Sequence, residues 1–179
     1  KVLRGQLIGS PAGYVSAAVH APTSGVVRDV REAQSISGRA VPVIDIDADG
    51  EDRPDESLKP MPDWENLDPK QLVERIAAAG LVGMGGAGFP THVKLSPPPG
   101  RKLDTLILNG AECEPFLTAD SRLMVEEAPR VAGGLRVLRR ILSVREVVVA
   151  VENNKPEAIA ALEKALAGDD VFHAVLPTA

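Results

Sequence analysis

The sequence predicts an α/β chain: a small β module followed by a parallel-sheet domain of βαβαβ type. Three observations carry this. Short strand-like runs separated by turn residues fill residues 1–50. An acidic, proline-rich stretch, DGEDRPDESLKPMPD, follows from Asp49 to Asp63. From Asp68 onward, apolar residues at helical spacing alternate with strand-sized apolar runs, the pattern of a parallel sheet with right-handed crossovers.

In the β module, Gln6–Ile8, Tyr14–Val19, Gly25–Val30 and Val41–Ile46 read as strands. Pro11-Ala12-Gly13, Pro22-Thr23-Ser24-Gly25 and Ser37-Gly38 punctuate them. Short strands at such close spacing suggest a small barrel or sandwich. The acidic stretch buries little apolar area and reads as a linker, with Trp64 packing it against a domain. The expected division is a β module at 1–50, a linker at 51–67 and an α/β domain at 68–179. Asp68-Pro69 suits a helix start, Leu72, Val73 and Ile76 supply its apolar face, and Gly80 can end it. Ser96-Pro97-Pro98-Pro99-Gly100 reads as a rigid loop. Leu103–Leu108, Val144–Val151 and Val171–Leu176 read as strands, with helices at Glu126–Leu142 and Pro156–Ala167 between them.

Composition excludes several classes. Of 179 residues, 44% are apolar and 25% charged, as in ordinary globular proteins. No apolar run approaches the roughly 20 residues of a membrane helix. The net charge of −5, without a basic run, argues against nucleic acid as a partner. The one cysteine, Cys113, cannot build a disulfide framework or hold an iron–sulfur cluster alone, and it fits a reducing compartment. His20, His92 and His173 share no metal-ligand spacing, so no metal site is expected. The chain opens on Lys1 without an initiating Met or a signal-type apolar segment, and reads as an excerpt of a longer polypeptide.

Gly83, Gly85 and Gly88 match Gly-x-Gly-x-x-Gly, but a helix and not a strand precedes them, so the Rossmann meaning fails. Four glycines at 83, 85, 86 and 88 still let a ligand approach the main chain closely. Pro90-Thr91 can open a helix whose free N–H groups favour an anion such as phosphate, and Lys94 adds positive charge one turn in. A tight structural turn is an equal reading of a bare glycine run. Asn109-Gly110-Ala111-Glu112-Cys113-Glu114-Pro115 falls at the carboxyl end of the first parallel strand, where open α/β sheets bind ligands. There Asn109, Glu112 and Glu114 either bond ligand hydroxyls or are simply solvated. Glu152-Asn153-Asn154-Lys155 ends the second strand, and its asparagines serve a ligand or cap the next helix.

The string GMGGAGFPTHVK resembles the glycine loop of the flavoprotein subunit of respiratory complex I, and NGAECEP resembles that family's second flavin loop. With VENNKPEA after them, the whole chain resembles the C subunit of the Rnf electron-transport complex. The resemblance implies that Gly83, Gly85, Gly86, Ala87, Gly88, Phe89 and Lys94, with Asn109, Glu112, Glu114, Glu152, Asn153 and Asn154, bind FMN and NADH. It assigns no catalytic side chain, because the flavin carries the chemistry. Complex I flavoproteins carry a Gly-Glu pair where this chain has Asn153-Asn154. Residues 15–27 resemble a biotinyl/lipoyl-like barrel-sandwich module. No lysine lies between Lys1 and Lys59 to take a swinging cofactor, so a structural or docking role is expected.

The resemblance further implies hydride transfer from NADH to FMN, then electron passage through 4Fe-4S clusters to a ferredoxin-type partner, coupled to ion translocation. The subunit would sit peripherally on the cytoplasmic face of the bacterial inner membrane among other Rnf subunits. The clusters are expected in the full-length subunit and not in this chain. The chain alone is expected to bind FMN weakly and to be inactive. A cobalamin reductase of the propanediol-utilisation type and a non-catalytic docking scaffold are the rival readings.

Overall fold

The computed structural model describes residues 1–98, 100–114 and 116–178; Pro99 of the proline loop, Pro115 of the second loop and the last residue lie outside them. The chain divides into two units, Lys1–Asp63 with Glu74–Lys94, and Trp64–Val73 with Leu95 onward.

In the first unit, β1 (Leu7–Gly9) pairs antiparallel with β2 (Val19–His20), and β3 (Gly25–Gln34) with β4 (Ala40–Ala48). An isolated antiparallel bridge joins Val2 to Gly25. The strand expected over Tyr14–Val19 is not formed: only Val19 pairs, while Tyr14 and Val15 stand 63% and 62% exposed. Ser16 Oγ instead accepts from the Ala12 N–H at 3.1 Å, a local bond of the kind that competes with a sheet ladder.

The acidic stretch is tied into this unit. Ser24, fully buried, donates its hydroxyl to Asp49 Oδ1 at 2.6 Å and accepts the Arg53 N–H at 2.9 Å. Asp49 also accepts from the Glu51 N–H at 3.0 Å and from Arg53 Nη2 at 2.6 Å. The Ser24 hydroxyl, then the Glu51 N–H and Arg53, hold the Asp49 carboxyl down to about 2. The Arg4 N–H donates to Arg53 O and the Asp55 N–H to Arg4 O, so the stretch runs alongside the N-terminus.

Helix α1 (Pro69–Ala78) starts as the sequence indicates. The Gln71 N–H donates to Asp68 Oδ1 at 2.8 Å and the Asp68 N–H to Gln71 Oε1 at 3.0 Å, a reciprocal capping box. Helix α2 is the single turn Thr91–Lys94.

The second unit is built on a parallel sheet ordered β5 (Thr105–Asn109), β6 (Glu146–Glu152), β7 (Phe172–Leu176). Helices α3 (Ala119–Glu126) and α4 (Ala128–Leu142) connect β5 to β6, and α5 (Pro156–Ala165) connects β6 to β7. The single helix expected over Glu126–Leu142 is therefore two. Glu127, at φ −123° and ψ 26°, leaves the helical region, and Pro129 is tolerated in the first turn of α4 because no N–H is needed there. Alternate residues Val147, Val149 and Val151 of β6 meet Ala128, Ala132 and Leu135 of α4 and Ala158 and Leu162 of α5 in one core. Each fully buried valine or leucine there contributes about 1.5–3 kcal/mol. Arg136 clamps α4 to the end of α5, donating to Asp169 Oδ2 at 2.7 Å and Ala165 O at 3.0 Å.

Candidate functional site

The glycine loop stands in the first unit on a two-rung base. The Gly83 N–H donates to Phe89 O and the Thr91 N–H to Leu81 O, both at 2.9 Å, and Val82 bridges Pro90 antiparallel. Between these rungs, residues 84–89 are exposed. Gly86 and Gly88 take φ of +97° and +59°, which favour glycine. Gly85 has no such φ, and a Cβ on it would meet nothing within 4 Å. Neither backbone conformation nor packing explains that glycine. A Cβ on Gly83 would fall on Lys94 Nζ, so the ammonium lies against the loop's main chain. The helix-dipole expectation is corrected: α2 is one turn long, too short for a substantial dipole, and the Thr91 N–H is already engaged. His92 Nε2 lies 3.0 Å from Tyr14 O, with the two rings edge-on at 5.7 Å, so His92 braces the Tyr14 turn.

In the second unit, the ends of β5 and β6 bring Asn109, Glu112, Glu152, Asn153 and Asn154 together. Asn109 pairs in register with Ala150, and Glu152 lies two residues further along β6 on the same face. Asn109 Oδ1 accepts the Ala111 N–H at 3.1 Å, an Asx turn that leaves its amide outward. Glu112 points inward with 4% of its side chain exposed. Its Oε1 accepts the Asp120 N–H at 2.9 Å and so caps α3, whose own Thr118 makes no capping bond. Its Oε2 lies 3.2 Å from Lys155 Nζ, and its N–H donates to Glu152 Oε2 at 3.2 Å. Burial pushes the Glu112 carboxyl up, but the Asp120 N–H, Lys155 and the Ser121 N–H outweigh it, and the net shift is downward. Asn153 Oδ1 accepts from the Thr178 N–H and hydroxyl, while Asn154 and Glu114 are exposed.

The glycine loop by itself fits a flavin mononucleotide, since an open glycine backbone with an ammonium beside it suits a flat, phosphorylated ligand. In the second unit, the Asn109 and Glu114 side chains are exposed at the end of β5 and in the loop after it. Among the described residues no group of three or more His, Cys, Asp or Glu could hold a metal ion, and no helix is long and apolar enough to cross a membrane.

Sequence reasoning assigned no role to Lys155 and missed α3. A lysine at a helix N-cap, where an anion or a hydroxyl is preferred, was the available signal for the first. The α3 segment holds Met124, which packs over Gly110: a Cβ there would meet Met124 Sδ at 2.7 Å.

Residues 76–175 match the family model described as the Nuo51 FMN-binding domain, and residues 1–51 match the RnfC barrel sandwich hybrid domain. The chain is 44% identical over 178 residues to the C subunit of the proton-translocating ferredoxin:NAD(+) oxidoreductase complex of Clostridium ljungdahlii, covering 99% of this chain and 39% of that protein. It is 50% identical over 179 residues to the C subunit of the ion-translocating oxidoreductase complex of Pseudomonas aeruginosa, covering 99% and 23%. It is 46% identical over 168 residues to the C subunit of the Na(+)-translocating ferredoxin:NAD(+) oxidoreductase complex of Acetobacterium woodii, covering 94% and 38%. The chain thus spans well under half the length of these relatives. The chain belongs to the RnfC family, with an RnfC barrel sandwich hybrid domain followed by an FMN-binding domain of the Nuo51 type.

Proposed function

We propose that this chain is the FMN-binding part of an electron-transfer subunit that takes reducing equivalents from NADH. Its membership of the FMN-binding family supports this, and so do the names of its relatives, which are subunits of ferredoxin:NAD(+) oxidoreductase complexes. The observation that carries the reading is Gly85, a glycine that its own fold does not require, in an exposed loop beside the Lys94 ammonium.

Gly83, Gly85, Gly86, Ala87, Gly88 and Phe89 present main chain to the flavin, and Lys94 neutralises its phosphate. In the second unit, Asn109, Glu114, Glu152, Asn153 and Asn154 offer groups for flavin or nicotinamide-nucleotide hydroxyls, and Glu112 shapes the loop after β5. Bound FMN supplies the exchange between two-electron and one-electron chemistry. The protein's part is to bind, orient and keep bulk away from the stacking face. In a subunit of the relatives' length, 4Fe-4S clusters held outside this chain's residues would supply one-electron transfer towards a ferredoxin-type partner. The subunit is peripheral on the cytoplasmic face of the bacterial inner membrane, among the other subunits of an Rnf complex. The relatives' names favour this over the cobalamin-reductase reading.

Titration with FMN, followed by quenching of flavin fluorescence, tests the proposal. Saturable binding is expected, weakened roughly tenfold or more by Gly85→Val, because one branched side chain occupies the face the ligand needs. Thermal stability of that variant is expected to match the parent, since no neighbour lies within 4 Å. Absence of FMN binding, or equal binding by both chains, would overturn the reading in favour of a scaffold.

A further inference from the structure

Lys155 sits where a helix ordinarily does not place a cation. It occupies the N-cap of α5 and makes no capping bond. A positive charge there opposes the helix dipole, and Ser, Thr, Asp or Asn is the usual choice. Its ammonium is turned to the sheet end instead. Nζ lies 3.2 Å from Glu112 Oε2, with 17% of the lysine side chain and 4% of the glutamate side chain exposed. That oxygen finds no well-aligned hydrogen bond among the described residues, so the ammonium compensates it. Glu112 is held at its other end by the Asp120 N–H of α3 and through its own N–H by Glu152 of β6. One ion pair therefore ties the start of α5 to the loop after β5, the start of α3 and the end of β6.

We infer that Lys155 is a positioning residue of the flavin site: acting through the Glu112 carboxylate, it fixes the loop from Asn109 to Glu114 in its binding shape without touching the flavin. This rests on the FMN reading above. The physical reason is the asymmetry of buried pairs. Removing one partner leaves the other charge inside and uncompensated, which costs far more than the pair contributes. Without Lys155 the Glu112 carboxyl either takes a proton or turns out to water. Either change weakens its hold on the Asp120 N–H and frees the loop.

The test uses the full chain as wild type, Lys155→Met, Lys155→Arg, Glu112→Gln and the Lys155→Met/Glu112→Gln double variant. FMN affinity is measured for each, and amide exchange at Glu112 and Asp120 is followed without FMN. Lys155→Met is expected to weaken FMN binding roughly tenfold and to speed exchange at Asp120. Lys155→Arg should restore both, with affinity within about threefold of wild type. On the Glu112→Gln background, where no charge is left to compensate, Lys155→Met should add less than about threefold. Equal losses on both backgrounds would mean that Lys155 meets the flavin directly, and unchanged affinity and exchange would mean that it positions nothing; either overturns the inference. A wild-type chain that takes up no FMN would instead bring down the flavin reading, and this inference with it. Should Lys155→Met not fold, Lys155→Gln keeps a donor without the charge, and a smaller loss of about threefold is expected.

Discussion

The glycine loop and the loop after β5 are both glycine-containing turns with candidate ligand groups, and they differ in what fills them. A Cβ at Gly85, Gly86 or Gly88 would meet nothing within 4 Å. A Cβ at Gly110 would meet Met124 Sδ at 2.7 Å, Met124 Cε at 3.0 Å and Ala150 O at 3.2 Å. The first loop keeps space outside the protein, and the second gives it up to its own packing. The polar groups follow the same division. Lys94 is exposed beside the first loop, whereas Glu112 is folded into the second and spends its carboxylate on Asp120 and Lys155. One loop is shaped by absence of side chains, the other by a closed network.

The largest effect that separates them comes from one substitution made in both. Gly110→Ala drives a methyl group into Met124, which is 4% exposed and belongs to the core of the second unit. A cost of about 1–3 kcal/mol is expected for such overpacking. Gly85→Ala should change stability by less than about 0.5 kcal/mol, as for an uncrowded surface position. Urea midpoints of the two variants check this. Equal losses would mean that the two loops are not distinguished by packing at all.

Only part of this difference is legible in the sequence. Gly85 and Gly110 are the same letter, and nothing local says that one faces solvent and the other a methionine sulfur. That distinction depends on α3, and α3 is hard to read because Thr118 offers no capping bond of its own and Glu112, six residues upstream, caps the helix instead. By contrast, β6 and the stripe Ala128, Ala132, Leu135 follow from period alone, since a central parallel strand and a core-facing helix must be apolar in those patterns. The tie between Ser24 and Asp49 spans 25 residues and leaves no periodic trace, so the acidic stretch reads as free linker when half of it is bonded to the β module. The glycine loop stands out in the sequence through its resemblance, and the one-turn length of α2 does not.

A smaller effect sharpens the glycine side of the comparison. At Gly83 the group a Cβ would displace is the far end of the Lys94 side chain, which can move at little cost. Gly83→Ala should therefore leave the melting temperature unchanged. It should weaken FMN binding about threefold, the scale of an exposed ion pair displaced from its place. Fluorescence titration beside a thermal melt separates the two. A variant that loses stability without losing affinity would make Gly83 a packing glycine like Gly110.

The smallest effect is local and comes from acid. The shift on Glu112 is what remains after burial, which raises it, is outweighed by the Asp120 N–H, Lys155 and the Ser121 N–H. A carboxyl held below its ordinary value of 4.5 contributes its stability in full above that value, and the contribution fades as pH falls through the lower folded value. Below about pH 4.5 the protection of the Asp120 amide should therefore decline before the second unit unfolds, as a local opening and not a global one. The glycine loop from Gly83 to Lys94 contains no Asp or Glu, so the Gly83 amide, bonded to Phe89 O, has no carboxylate of its own to lose. A comparable clamp in its unit, Asp49, is held down to about 2 and persists further into acid. Amide exchange between pH 5 and 3, corrected for the intrinsic rate at each pH, should show Asp120 loosening while Gly83 does not. Parallel loosening at both would mean that acid acts on the chain as a whole and that Glu112 is no clamp.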